Sequence, residues 1–474
     1  MMSNPMRLHP VTIVFNLIKG IKDSIFLFVL AFVTLFDGYL LYAILAILVL
    51  LTVIFLTSIL SWRRFTYLIE GDELRLEYGI FVRKKRFISK NRIQSIDLTQ
   101  SIIHRIFKLV KVEIETAGTG SEAEASLLAV TLDDGEALRQ ELKSIRVEEQ
   151  EEYDKRDYPL QTIDKRSLIL AGATSGSVGV LVAIAGFVFS EIERFIPTGF
   201  YDNAYKWVVG LGLLVLVLMI IGGLLLLWLL GIAGTVIKYW NFTISKVEDD
   251  LIITRGLLEK KQITIPLKRI QAVGFSENII RQPFGYATVI AEIAGGSNEK
   301  GEDFSTVLFP IMKKEEIASF LGEFLADYQT TQSAIQVLPK RARKYYLFRA
   351  VIPAIVLVAA VLYFLPQFSW VPILFLIVSI YLGILRHRDG GYSLEGKKLM
   401  IQYRLLNKVT MVINHKRIQA FNKKQHFLHK KSDLATLRLS IVGKMGLGKH
   451  YTIKELEELD VDGLAEWYSY RKKD

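Results

Sequence analysis

Long uncharged apolar runs take turns along this chain with stretches in which apolar and polar residues alternate one by one. The runs fall into three clusters. Each is two runs separated by a short polar break, the pattern of a helical hairpin that crosses ~30 Å of hydrocarbon twice. Residues 24–36 and 40–60 form the first, broken at Asp37-Gly38; its short leading arm extends back toward Phe15, with Lys19 and Lys22 reaching the headgroups. Residues 168–190 and 207–231 form the second, and residues 346–365 and 370–385 the third, reversed at Pro366. Lysine and arginine crowd the outer flanks of every pair and are scarcer at the tips: Arg7, Arg63 and Arg64 flank the first, Lys165, Arg166 and Lys238 the second, Lys340, Arg341, Arg386 and Arg388 the third. Such flanks are retained in the cytoplasm, so the pattern predicts six spans with both termini and every large polar segment cytoplasmic, and no cleavable signal peptide.

A polar stretch of similar length follows each pair, and these stretches repeat one another. Arg92-Ile93-Gln94, Arg269-Ile270-Gln271 and Arg417-Ile418-Gln419 anchor the repeat. Thirteen positions before each arginine stand Gly79, Gly256 and Arg404; fifteen after it, Phe107, Phe284 and Ser432; twenty-six after it, Gly118, Gly295 and Gly443. The third copy is the divergent one. Alternation with β-branched and aromatic residues predicts about seven short strands per copy, closed by an amphipathic helix over 135–145, 314–328 or 454–470. The resulting division is an N-terminal segment with hairpin 1 over 1–62, β-rich domain 1 over 63–160, hairpin 2 over 161–237, domain 2 over 238–335, hairpin 3 over 336–386 and domain 3 over 387–474. The fold class is a polytopic α-helical membrane protein with three small barrels or sandwiches, each plugged by its C-terminal helix.

Composition sharpens the choice of partner. Hydrophobic residues at 51% with charged residues at 23% exclude a disordered chain. Lysine plus arginine number 59 against 48 aspartate plus glutamate, a net charge of +11 that draws the chain to an anionic surface. With spans present that surface is membrane phospholipid; nucleic acid is not expected, because the basic runs lack interleaved stacking aromatics. The absence of cysteine removes disulfides, thiol catalysis and every cysteine-based metal site. His426 and His429 have helical metal-pair spacing but no third ligand, and no catalytic constellation emerges, so neither an enzyme nor a cofactor or metal is expected.

A helical hairpin followed by a β-rich domain with a central Arg-Ile-Gln, a later Phe-Gly and a glycine closing the next strand resembles the bacterial pleckstrin-homology membrane proteins of the YdbT type. The resemblance spans the whole chain, including Arg7-Leu8-His9-Pro10 before the first hairpin. It implies pleckstrin-homology-like (PH-like) cytoplasmic domains, a bacterial plasma membrane and a smaller YdbS-like membrane protein as partner. The third copy departs from the pattern at Ser432 and Arg404.

Four sets of residues carry the functional expectations. Arg92, Gln94, Arg269, Gln271, Arg417 and Gln419, with Gly118, Gly295 and Gly443, form the repeat motif, whose role is structural at a strand end or partner-binding. Arg83, Lys84, Lys85, Arg86, Lys260, Lys261, Lys423 and Lys424 are candidate contacts for anionic headgroups. Gly172, Gly176, Gly222 and Gly223 are candidates for close helix packing, within the chain or against another membrane protein. Residues 443–450 approach a phosphate-binding loop but have His450 where a hydroxyl is required, and the repeat places them between two strands. The expected function is a non-enzymatic membrane-anchored scaffold whose repeated modules bind protein partners multivalently, in complex with a YdbS-like protein and serving envelope stress or antimicrobial-peptide resistance. The alternative is binding or handling of anionic lipid.

Overall fold

A computed structural model describes residues 5–36, 40–116, 125–143, 158–176, 179, 181–184, 186–187, 212–295, 305–330, 335–364, 370–443 and 448–469. Among these residues the strands fall seven to a repeat. The first repeat holds β1 (Met6–Arg7), β2 (Thr66–Glu70), β3 (Glu73–Tyr78), β4 (Lys84–Ser89), β5 (Ile93–Gln100), β6 (Leu109–Thr116) and β7 (Ala125–Thr131). The second holds β8 (Leu160–Thr162), β9 (Thr243–Val247), β10 (Asp250–Arg255), β11 (Lys260–Pro266), β12 (Ile270–Glu277), β13 (Tyr286–Ile293) and β14 (Thr306–Lys313). The third holds β15 (Gln336–Val337), β16 (Gly391–Glu395), β17 (Lys398–Arg404), β18 (Lys408–Asn414), β19 (Ile418–Lys424), β20 (Leu434–Val442) and β21 (Gly448–Glu457).

The strand before each hairpin pairs with the first strand after it. Met6 sits opposite Tyr67, Leu160 opposite Ser245, and Gln336 opposite Tyr392, all antiparallel. Each pair of helices is thereby clipped at its base to the module that follows, and Trp62 Nε1 reinforces the first clip by donating to the Leu8 carbonyl at 2.8 Å. These two- and three-residue strands move each module's boundary to the far side of its hairpin.

Three helical stretches among the described residues are long and apolar enough to cross a membrane: Leu41–Arg64, Val217–Tyr239 and Lys340–Phe364. The leading arm of the first hairpin is two helices, Thr12–Asp23 and Ile25–Phe36, interrupted at Ser24, and Trp370–Arg388 follows the last long helix. The second hairpin's leading arm begins as the helix Lys165–Ala173, capped by the Asp164 carboxylate accepting from the Arg166 N–H. It lies close to Gly212–Tyr239: a Cβ on Gly172 would sit 3.0 Å from the Ile232 Cα, and Trp228 Nε1 donates to the Ala173 carbonyl at 3.0 Å. A Cβ on Gly176, Gly222 or Gly223 would meet nothing within 4 Å.

The chain divides into two compact units, one of residues 1–158 with 252–254 and 258–266, the other of the remainder. In the first, β1-β2-β3-β4 form one sheet, and β7-β6-β5 continue onto β11, a strand lent by the second repeat. Tyr67, Leu74, Leu76, Val110, Val112, Ile114 and Leu127 fill the core beneath Leu138 and Leu142 of the helix Leu132–Lys143. In the second, β14-β13-β12 continue onto β18-β17-β16-β15, so the third repeat lends a strand to the second, while β19-β20-β21 form a sheet of their own. The helices Lys314–Phe324 and Glu458–Tyr468 close repeats 2 and 3. The last of these corrects the expected start at 454, because Lys454–Glu457 stay in β21 and a strand irregularity there turns Glu455 inward at φ 56°. β21 begins at Gly448, so no helix follows the glycine-rich 443–450 segment, as a phosphate-binding loop would require.

Candidate functional site

The repeat motif is built into strand ends. In the second repeat Arg269 and Gln271 are buried; Arg269 Nε donates to the Ala294 carbonyl at 2.9 Å and Gln271 Nε2 to the Arg269 carbonyl at 3.1 Å, which ties the start of β12 to the end of β13. Arg92 and Gln419 are exposed, whereas Gln94 and Arg417 are half-buried. Gly295, at φ 69°, donates its N–H to the Gly443 carbonyl at 3.2 Å, and Gly118 lies outside the described residues. Arg404, which replaces the repeat glycine in the third copy, turns into the interior. Its Nε meets the Asp389 carboxylate at 2.5 Å and its Nη1 donates to the Leu406 carbonyl at 2.9 Å, so the departure is a buried ion pair.

A position outside the Arg-Ile-Gln motif joins each module to its hairpin. Twelve residues after each repeat arginine stand His104, Arg281 and His429. His104 is buried, bonds the Leu128 carbonyl at 2.7 Å and stacks on Phe15 of the first hairpin with ring centroids 4.2 Å apart. Arg281 is buried and donates to Thr174 Oγ1 at 2.8 Å and to the Ala171 carbonyl at 2.9 Å, both on the second hairpin. His429 lies edge-on to Tyr345 of the third hairpin and 3.3 Å from Glu455, whose carboxylate receives both nitrogens of Arg349, at 2.5 and 2.6 Å, from the same helix. Three nitrogenous side chains of two types thus do one job. A search for identical letters misses it, and a search for shared donors at fixed spacing would have found it. His426, by contrast, caps the short helix Phe427–Lys430 by accepting from the Leu428 N–H.

The basic candidates separate into committed and open groups. Lys260 and Lys261 lie on β11 against β5, and Lys423 is held by Asp462 at 2.6 Å and Glu458 at 3.0 Å, which keeps its ammonium above the usual lysine range. Arg83, Lys84, Lys85, Arg86 and Lys424 are exposed, but Lys85 is paired with Glu77 of β3 at 2.8 Å and Arg83 lies 3.6 Å from the same carboxylate. Arg83 to Arg86 follow Phe81 and Val82, which are 95% and 70% exposed, so an apolar tip precedes a cationic run. The equivalent turns abut helix bases: the Leu257 N–H donates to Ile237 in repeat 2, and Arg386 Nε donates to Leu405 in repeat 3. Leu405 and Leu406 are again largely exposed.

The bacterial PH domain family matches three successive segments, residues 24–146, 182–327 and 348–472. The chain belongs to that family. It is also 34% identical over 495 residues, covering 100% of both chains, to the UPF0699 transmembrane protein YdbT of Bacillus subtilis (strain 168), so it is a membrane protein of the YdbT type with repeated bacterial PH domains.

Between the first two PH repeats the seam carries a titratable group. Asp97 of β5 accepts the Thr264 N–H of β11 at 3.0 Å, and its carboxyl is pushed up to about 7, first by burial and then by Glu115. A carboxyl whose folded pKa exceeds its unfolded one stabilises the fold at low pH and loses that contribution as pH rises through the folded value. The seam is therefore expected to tighten on going from pH 8 to pH 6. Asp97→Asn should flatten that dependence, measured as the hydrogen-exchange protection of residues 260–266 across the same range.

Proposed function

We propose that the protein is a non-enzymatic scaffold of the bacterial plasma membrane. In this reading three hairpins make six spans, the shorter helices completing the three long ones, and the PH domains face the cytoplasm. The carrying observation is the seating of each module on its own hairpin through His104, Arg281 or His429. Seating of this kind holds three modules at one surface, which raises the effective concentration for a partner that engages more than one of them. The partner is a YdbS-like membrane protein, and the process served is resistance to envelope stress or antimicrobial peptides. Native mass spectrometry of the protein extracted gently from its own membrane tests the reading: a stoichiometric protein partner is expected, and a chain without one would overturn it.

A second reading, anionic-lipid binding, is favoured by the exposed Phe81-Val82 tip beside Arg83 to Arg86. Apolar tips with adjacent cations suit a headgroup layer, each cation contributing about 1 kcal/mol at an anionic surface. The same spectrum separates the two, because this reading expects one persistent lipid on a solitary chain.

A further inference from the structure

Two strand pairings between repeats share one register. In the first, Lys260 is opposite Gln100 and Lys261 opposite Thr99; in the second, Lys408 is opposite Glu277 and Val409 opposite Ser276. Counted from each repeat's arginine, the donor position nine before it meets the acceptor position eight after it in both cases. Each repeat thus lends its fourth strand to the fifth strand of the repeat before it. The first repeat's donor strand, β4, and the third repeat's acceptor strand, β19, each have a neighbour on one side only among the described residues.

Burial records what is missing at those two edges. On β18, paired on both sides, Met411 to Asn414 are all buried, whereas the first four residues of β4 are exposed. Phe87 on β4 is 56% exposed, while its counterparts Thr264 and Val412 are each 2% exposed under their neighbours. β19 ends in three exposed residues where β12, its paired counterpart, ends buried at Glu277.

Charge decides the occupant. The acceptor strands already in use carry carboxylates near the incoming lysines, Asp97 beside Lys261 and Glu277 opposite Lys408. The open acceptor β19 carries none. Its sequence ends Asn422-Lys423-Lys424, and the shared register would set Lys424 against Lys84 of a second copy; the next pair, Lys423 and Lys85, is already compensated by Asp462 and Glu458 and by Glu77. Like charges directly opposite one another destabilise a strand pair. Edge lysines that only block association are the familiar alternative; they do not account for the 56% exposure that Phe87 keeps even with the Arg75 guanidinium 5.3 Å from its ring centroid.

We propose that the open edge of β4 docks the edge strand of a β-rich module from a different chain, one bearing a carboxylate opposite Lys84, in the register the repeats already use. This rests on the scaffold reading and specifies the partner's chemistry. Association occurs by strand addition, in which main-chain hydrogen bonds supply the affinity and charge the choice of partner.

The cysteine-free chain permits a direct test. Two full-length versions are placed in the same liposomes, one carrying Arg86→Cys and the other Asn422→Cys, residues the register sets opposite each other at a spacing a disulfide spans. With native lysines, mixed disulfide should not exceed the level of like-with-like disulfide. Adding K424E to the second version supplies an acidic acceptor and should raise the mixed product on the order of tenfold, the effect of turning one cross-strand repulsion into attraction. K84E on the first version with Lys424 intact should give the same gain, and K84E with K424E should abolish it. This reciprocal set keeps the test informative if one variant folds poorly. Mixed disulfide with native lysines would make a second copy the occupant, and no gain from either single reversal would show that the edge does not dock; either result overturns the proposal. Because the acceptor is engineered into this chain, the outcome is independent of whether native mass spectrometry finds a partner.

Discussion

Arg349→Leu is expected to loosen the third PH domain from its hairpin by about 3 kcal/mol, the lower end of the cost of leaving a buried carboxylate without its partner, since Arg349 itself is partly exposed. Glu455 is fully buried, and its carboxylate receives both guanidinium nitrogens of Arg349 at 2.5 and 2.6 Å. Without them a carboxylate aimed inward by the local strand irregularity keeps, among the described residues, His429 at 3.3 Å, which is why the lower end of the range applies. Arg349→Lys should recover part of the loss, because one ammonium replaces a two-pronged contact with a single one. The double variant Arg349→Leu with Glu455→Leu should be more stable than either single one, since no charge is then left buried alone. Scanning fluorimetry in lipid nanodiscs checks this, with a fall of roughly 6–12 °C expected for the single variant. A single variant that melts with the native protein would mean that the pair holds nothing.

Much of this architecture was legible in the sequence, for physical reasons that differ by level. Apolar runs expose the helices, and alternation exposes the six strands that follow each hairpin. The anchor Arg-Ile-Gln is visible because it recurs letter for letter, and in the second repeat its arginine bonds the Ala294 carbonyl at the end of the next strand. Three things stayed hidden. The clip strands Met6–Arg7, Leu160–Thr162 and Gln336–Val337 are too short to show a period. The seating position carries histidine, arginine and histidine, one role in two chemistries. Strand lending between repeats leaves no local mark at all, because Lys260–Pro266 and Lys84–Ser89 read as the same strand whether or not a neighbour covers the outer edge. The expected helix start at 454 failed for a related reason: the pattern of Lys454-Glu455-Leu456-Glu457 suits a first helical turn, whereas pairing of Leu456 and Glu457 with β20 and the contact of Glu455 with Arg349 hold these residues extended.

Gly274→Ala should break the lending of β18 to β12. A Cβ at this position would lie 2.1 Å from the Thr410 carbonyl oxygen and 2.9 Å from the Met411 Cα, both backbone atoms of the lent strand, so no side-chain rotation relieves the clash. Overpacking of this kind costs about 1–3 kcal/mol when side chains absorb it, and the upper end applies where backbone must move. The contrast with the first seam shows what the glycine secures. Asp97 stands at the equivalent place on β5, and there the paired positions run only from Gln100 to Leu98, with the aspartate's own carboxylate accepting the Thr264 N–H. Opposite β18 the pairing continues through Gly274 to Ala272. One seam is thus a short ladder completed by a titratable side chain, and the other a long ladder that no side chain interrupts. Protection of residues 408–414 against hydrogen exchange is expected to collapse in Gly274→Ala at every pH, whereas protection of residues 260–266 should keep its dependence on the Asp97 carboxyl. Native protection of residues 408–414 in Gly274→Ala would show that the third repeat is held to the second by something other than this ladder.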